Sequence, residues 1–186
     1  IDDIATMNCG EEKILDVLTN DMGIGINIKS VTGVDDKLVK ITGNNIVLSK
    51  EINQPFIFSY VIQDKNGNTS SASVQVNVNL PLMNLFHIQT SIQGGEKFIG
   101  NIFSNSICVD CKVINISSSN INLFSWNENG NFEFTSPIID KDQTYTYVFN
   151  IADKCNQTGS INLTISVKAK HCEIEITSQI KNSHCG

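Results

Sequence analysis

The stretch FIFSYVIQDKNGNTSSASVQVNV, residues 56–78, carries apolar side chains at every second position on both sides of a polar centre. Such spacing places one set of side chains on one face of a β-strand. The centre contains Asn66-Gly67, and an Asn-Gly pair between two alternating runs is among the strongest short signals for a β-hairpin. We therefore predict two antiparallel strands joined by a tight turn.

The same pattern recurs at residues 145–167, YTYVFNIADKCNQTGSINLTISV, at a shift of 89 positions. Phe56 falls on Tyr145 and Val74 falls on Leu163, so the apolar positions of both strands coincide. Self-similarity at a fixed period indicates tandem modules. The chain is therefore expected to contain two copies of one unit.

A second match supports the repeat but is ambiguous in secondary structure. GEEKILDVLTND, residues 10–21, lies over GGEKFIGNIFSNS, residues 94–106, with one insertion. The apolar residues here are also spaced like one face of a helix, yet β-branched and turn residues flank them, and we predict strand. These residues are Ile14, Leu15, Val17 and Leu18 in the first copy and Phe98, Ile99, Ile102 and Phe103 in the second.

Other short alternating segments complete each copy. They are INIKSVTG (26–33) and IVLSK (46–50) in the first copy, and VINISSS (113–119) and NFEFTSP (131–137) in the second. About seven short strands per copy with turns between them is the pattern of a β-sandwich. The predicted fold class is all-β, with two tandem β-sandwich domains.

The predicted modules are residues 1–80 and residues 84–168. Pro81 lies between them, and proline cannot donate to a sheet ladder. Residues 169–186 are then the start of a further module or an inter-module strand. This last expectation rests on the end of the chain, where Cys185-Gly186 falls on Cys9-Gly10 of the first copy.

Composition limits the function. The chain has 186 residues, a net charge of −6 and no arginine, and we found no basic patch, so a nucleic-acid partner is not expected. No apolar run approaches the roughly 18 residues that a membrane span needs. The first residue is Ile rather than Met, which indicates a processed product or a piece of a longer protein.

Six cysteines suggest disulfides in a secreted, β-rich chain. They lie at Cys9, Cys108, Cys111, Cys155, Cys172 and Cys185. Four Asn-x-Ser/Thr sequons are candidate glycosylation sites, and like the cysteines they favour an extracellular location. These sequons begin at Asn68, Asn115, Asn156 and Asn162.

The Cys-x-x-Cys pair, Cys108 and Cys111, has three interpretations. A redox pair would need a helix N-terminus, which the surrounding sequence does not indicate. Half of a zinc site would need completion by Cys155 or His87, and no second Cys-x-x-Cys exists. We prefer a structural disulfide from Cys108 or Cys111 to Cys155.

Two of the other cysteines, Cys172 and Cys185, are expected to pair near the end of the chain. Cys172 and Cys185 are 13 residues apart, and a disulfide over such a loop contributes about 3 kcal/mol in the loop-entropy picture. Cys9 is then left for a partner upstream of this sequence.

The motifs at the start and end of the first copy resemble those of the bacterial Ig-like, cadherin-like tandem repeats of large surface adhesins. The matching strings are Asp-Asp-Ile-Ala-Thr (2–6), Val-Leu-Thr-Asn-Asp (17–21) and Tyr-Val-Ile-Gln-Asp-Lys-Asn-Gly (60–67). The resemblance covers residues 1–80 well and 84–168 more loosely. It implies Ig-like sandwiches and a role in extended cell-surface or extracellular filaments.

The sequence departs from these repeats after Asp21, where many of them continue with an acidic loop that can hold calcium. Here the loop, residues 22–26, has no carboxylate, and the second copy has Ser106 in place of Asp21. Calcium takes six to eight oxygen ligands. Asp2, Asp3 and Asp21, clustered with a neighbouring module, remain the one calcium alternative, and otherwise we expect neither a metal nor a cofactor.

No residues point to catalysis. His87, His171 and His184 are scattered, without a Ser or Cys nucleophile and an acidic partner nearby in sequence. Trp126, the single tryptophan, is either a core residue or a sugar-stacking platform, and we favour the core.

The expected function is therefore non-catalytic: an extracellular structural or adhesive module, a repeat unit of a long adhesin or filament. The alternative is a ligand-binding, lectin-like tip of a surface protein. The expected partners are neighbouring modules or subunits of the same array, and surface glycans or a host surface.

Overall fold

The computed structural model describes residues 2–170, which contain fourteen β-strands, one short 3₁₀ turn and no α-helix. Seven strands form in each copy. In the first copy they are β1 (Asp3–Asn8), β2 (Lys13–Leu15), β3 (Asn27–Thr32), β4 (Val39–Thr42), β5 (Asn45–Leu48), β6 (Phe56–Gln63) and β7 (Thr69–Asn79). In the second copy they are β8 (Ile88–Gln93), β9 (Lys97–Asn101), β10 (Lys112–Ser117), β11 (Phe124–Trp126), β12 (Asn131–Thr135), β13 (Gln143–Ala152) and β14 (Thr158–Lys168).

Each copy is a sandwich of a four-stranded and a three-stranded sheet. The order is β1-β7-β6-β3 with β2-β5-β4 in the first copy, and β8-β14-β13-β10 with β9-β12-β11 in the second. The first strand pairs in parallel with the last in both copies, and the other described pairs are antiparallel. The prediction of two all-β sandwich domains is confirmed.

The hairpin that carried the prediction has the same register in both copies. Phe56 is opposite Val76, and Tyr145 is opposite Ile165, which preserves the shift of 89. Gly67 forms the turn with a φ of 88°. Asn156 takes its place in the second copy with a φ of 60°, because asparagine tolerates the left-handed region better than most residues.

Alternation along these strands builds two separate cores. Phe58 and Tyr60 on β6 are buried, whereas Ile57, next to Phe58, is 63% exposed. The same inward row on β13 and β14 is almost fully enclosed. Each unit has its own hydrophobic cluster, which is the property that makes a sandwich a self-contained domain.

The two matched strings DVLTND and NIFSNS are hydrogen-bonded turns, so the strand prediction for their apolar residues was only half right. Strand β2 ends at Leu15, and the N–H of Leu18 then donates to the side chain of Asp16 at 3.3 Å. The N–H of Phe103 donates in the same way to Asn101 at 2.8 Å. A short polar side chain that accepts from the backbone two residues on favours a turn over a continuing strand.

The two strings align at a constant shift of 85 in the structure, so the insertion assumed from the sequence is not needed. Gly10 and Gly95 are equivalent and have φ values of 82° and 86°. The β-bulge between Ile28 and Ser30 likewise returns between Val113 and Asn115.

The described residues divide into two compact units. The first runs up to Leu82 and includes Lys154–Gln157, and the second comprises Met83–Asp153 and the residues from Thr158 onward. The division between Leu82 and Met83 falls beside Pro81. The predicted third segment lies, from residue 171 onward, outside the described residues.

Candidate functional site

A cluster of polar groups surrounds the hydroxyl of Tyr60 in the first core. Its buried hydroxyl lies 2.8 Å from Asp3 Oδ2, 3.2 Å from the carbonyl oxygen of Val17 and 3.3 Å from Asp21 Oδ2. The single hydroxyl proton is best placed to go to Asp3, the nearest acceptor, and Asn20 Nδ2 donates to the other oxygen of Asp3 at 3.0 Å. Burial, and then the bond to Asp3, raise the pKa of Tyr60 above its ordinary value.

This cluster resembles the predicted acidic one but has a different membership. Asp3 and Asp21 meet, whereas Asp2 accepts the backbone N–H of Ser73 at 2.8 Å, which lowers the pKa of Asp2. Asp2 thus binds the backbone of strand β7, whereas Asp3 binds Tyr60. Sequence reasoning missed Tyr60, although a hydroxyl in the inward row of β6 was a signal that a polar partner would be needed.

The second unit lacks the cluster. The three equivalent positions hold Ile88, Ser106 and Phe149. Tyr147, the more deeply buried of the two buried tyrosines described in this unit, instead donates to the backbone oxygen of Asn120 at 3.1 Å. Burial raises the pKa of Tyr147 to about 12.

The cluster fits calcium poorly. It offers two carboxylates and one backbone oxygen, against the six to eight oxygen ligands that calcium takes. Within residues 2–170 no group of three or more His, Cys, Asp or Glu side chains is placed to hold a metal ion.

Two disulfides form among the described cysteines, and one pairing differs from the prediction. Cys155 is bonded to Cys9, with a Cα–Cα distance of 6.0 Å. Cys108 is bonded to Cys111. The predicted bond from Cys155 to the Cys-x-x-Cys pair was therefore wrong, and so was the upstream partner expected for Cys9.

The physical reason for this correction is the position of the turn that carries Cys155. Residues 154–157 belong to the first unit and lie beside Cys9, although their flanking strands belong to the second unit. The Cys108–Cys111 disulfide also removes the thiolates that the zinc interpretation required. The redox-pair interpretation needed a helix N-terminus, and residues 2–170 contain no α-helix. Cys172 and Cys185 lie outside the described residues.

The four sequon asparagines occupy different environments, and their glycosylation stays a prediction. Asn68, Asn115 and Asn156 are exposed. Asn162 is half-buried, and its backbone N–H donates to His87 Nδ1 at 2.9 Å.

The single tryptophan lies at the margin of the second core. Trp126 is half-buried and packs against the hydrophobic cluster of the second unit, in keeping with the preferred interpretation. His171 and His184 lie outside the described residues.

In each unit a groove lies over two paired strands of the three-stranded sheet, β4 and β5 in the first unit and β11 and β12 in the second. The groove of the first unit is about 240 Å³ and is lined by Glu12, Lys37, Leu38, Lys40, Val47, Ser49 and Lys50. The groove of the second unit is about 420 Å³ and is lined by Asn122, Leu123, Phe124, Ser125, Glu133, Thr135, Ser136 and Pro137. Six of the seven residues that line the first groove have structural equivalents in the lining of the second, because the two grooves lie on equivalent strands.

No known protein family and no curated protein matches the sequence. Among solved structures, the human desmocollin-1 ectodomain matches 91% of this chain at 14% identity, with a TM-score of 0.35. Human mucin-like protocadherin EC1-2 matches 91% at 11% identity, with a TM-score of 0.36. A 2,6-sialyltransferase from Photobacterium sp. matches 46% at 16% identity, with a TM-score of 0.34.

This chain spans 40% of the desmocollin chain, 97% of the protocadherin chain and 18% of the sialyltransferase chain. Among the described residues, no helix has both the length and the apolar character needed to cross a membrane.

Proposed function

We propose that this chain is a non-catalytic, extracellular structural or adhesive module, a repeat unit of a long cell-surface adhesin or filament of bacterial type. The supporting observation is the depth of the internal repeat. Strand order, hairpin register, β-bulge and turn hydrogen bonds recur in both units. Repetition of one sandwich lengthens a protein and presents similar surfaces at intervals, which suits a structural or adhesive module.

The proposed partners are neighbouring modules or subunits of the same array, and surface glycans or a host surface. The disulfides support an oxidising, extracellular setting, because such bonds persist there and are rare in the cytosol. We propose that the module needs no cofactor. Calcium at Asp3 and Asp21 is the alternative, and a rise in melting temperature with added calcium over a chelator control would support it.

Immunogold labelling of intact cells tests the location and the arrangement together. Antibodies raised against the purified chain should label intact cells along surface fibres, with many gold particles per fibre. Label that appears only after permeabilisation would contradict the proposal.

The same experiment separates the second candidate, a ligand-binding tip. The groove that recurs in both units is the feature that favours this candidate. A tip would place single gold particles at the distal ends of fibres, whereas a repeat unit would place them along the length.

A further inference from the structure

Three lysine side chains converge on the groove of the first unit. Lys40 comes from strand β4, Lys37 from the turn before it and Lys50 from the turn after β5. All three are exposed. One carboxylate, that of Glu12, also lines the groove, so the lining carries an excess of positive charge.

No described residue forms an ion pair with these three lysines. The excess of positive charge is confined to the groove. Residues 1–80 as a whole contain six lysines and ten carboxylates and are therefore negatively charged. Like charges gathered at one place repel one another and lower stability unless an anion neutralises them. We therefore expect a bound anion to be favoured at this place.

The fold does not require these lysines. At the equivalent groove positions the second unit has Asn122, Ser125 and Ser136, all uncharged, on the same strand framework. The groove is therefore a shared feature of the sandwich, whereas its positive lining belongs to the first unit alone.

We propose that the groove of the first unit binds an anionic polysaccharide through its carboxylate or sulfate groups. Lys37, Lys40 and Lys50 supply the charge, and the half-buried Leu38 and Val47 supply apolar contact for a sugar ring. The inference goes beyond the proposed function, because a spacer and a tip would carry such a site equally well.

Other polyanions fit the groove less well. No aromatic side chain lines it, so single-stranded nucleic acid would find no stacking surface. The net charge of −6 also opposes a long, densely charged duplex. A volume of about 240 Å³ is small for a ligand pocket and suits one charged unit of a chain at a time.

The test measures binding of the full 186-residue chain to immobilised polymers by biolayer interferometry. The probes are dextran sulfate, polygalacturonate, uncharged dextran, polyglutamate and single-stranded DNA. We expect binding to at least one charged polysaccharide and none to dextran, with affinity that falls as salt rises. The sulfated and carboxylated arms show which group is preferred.

A matched pair of triple variants separates the groove from general charge. K37Q/K40Q/K50Q should lose binding by roughly tenfold or more, because three charge-assisted contacts are removed. K29Q/K65Q/K141Q makes the same change in net charge at exposed lysines away from the groove and should bind as the wild type does. The groove variant should melt at the wild-type temperature or above it, which excludes unfolding as the cause.

Three results would overturn the inference. The first is absence of binding to both charged polysaccharides. The second is equal loss of binding in the two triple variants. The third is binding to DNA or polyglutamate that is as tight as binding to the polysaccharides.

Discussion

Tyr60 shows how one hydroxyl changes the chemistry of an otherwise apolar row. Its ring fills the first core, and its hydroxyl reaches Asp3 and Asp21 at the core margin. Phe149 fills the equivalent place in the second unit, with Ile88 where Asp3 would be. Tyrosine and carboxylate are present together in one copy and absent together in the other, as expected of two groups that form one interaction.

We expect Tyr60→Phe to lower the free energy of unfolding by about 1.5–3 kcal/mol, because it removes a buried donor to a charged acceptor. Tyr147→Phe is the matched control, since Tyr147 donates to an uncharged backbone oxygen, and it should cost only about 0.5–1.5 kcal/mol. Urea denaturation followed by circular dichroism, fitted with one transition per unit, measures both. Equal losses in the two variants would show that the carboxylates add nothing to the tyrosine bond.

At the scale of the element, the β6–β7 turn is organised by a single carboxylate. Asp64 accepts the backbone N–H groups of Asn66 and Asn68 at 2.8 and 2.9 Å, and the side-chain amide of Asn68 at 2.9 Å. These bonds favour the charged form and hold the pKa of Asp64 below its ordinary value, with the side-chain bond from Asn68 as the largest cause. Gly67 then closes the turn in the left-handed region.

A depressed carboxylate pKa has a defined effect on stability. The contribution of Asp64 is fully present above the unfolded-state pKa of about 3.9, and it is lost as the pH falls through the lower folded-state pKa. Asp64→Asn should therefore destabilise the chain at neutral pH and flatten the decline in stability below about pH 4.

Thermal melts of Asp64→Asn between pH 7 and pH 2 test this expectation. Asp36→Asn is the control, because Asp36 is exposed and makes no hydrogen bond or ion pair with a described residue. The explanation fails if both variants have the same pH profile.

At the scale of the whole molecule, the Cys9–Cys155 disulfide decides how the chain carries tension. It joins residues 146 positions apart in sequence, so a force applied at the two ends passes through the bond and bypasses the residues between. Of the described strands, only β1 and β14 lie outside the closed loop. A module built this way resists extension by covalent bonds as well as by sheets.

Single-molecule pulling from the termini should reveal this bypass. Cys9→Ser with Cys155→Ser should add roughly 500 Å of extension on full unfolding, at about 3.4 Å per residue over the 146 positions. Cys108→Ser with Cys111→Ser is the control and should leave the extension unchanged, because both cysteines lie inside the loop that the intact Cys9–Cys155 disulfide shields from the force. Equal increments in the two variants would rule out the bypass.

Local patterns predicted much of this protein. Alternation in residues 56–78 and 145–167, with turn residues between the strands, identified both hairpins and their shared register. The repeat then indicated two sandwiches of seven strands. These features follow from neighbours in sequence, because side-chain period and turn chemistry act over a few residues.

The contacts between distant residues were decided by the tertiary structure alone. Nothing local to Cys155 shows that its turn belongs to the first unit beside Cys9, and nothing local to Tyr60 shows which carboxylate it meets. The lysines of the groove come from separate turns and strands in the same way. Periodicity and turn residues determine elements, whereas the pairing of side chains far apart in sequence depends on how the sheets pack together.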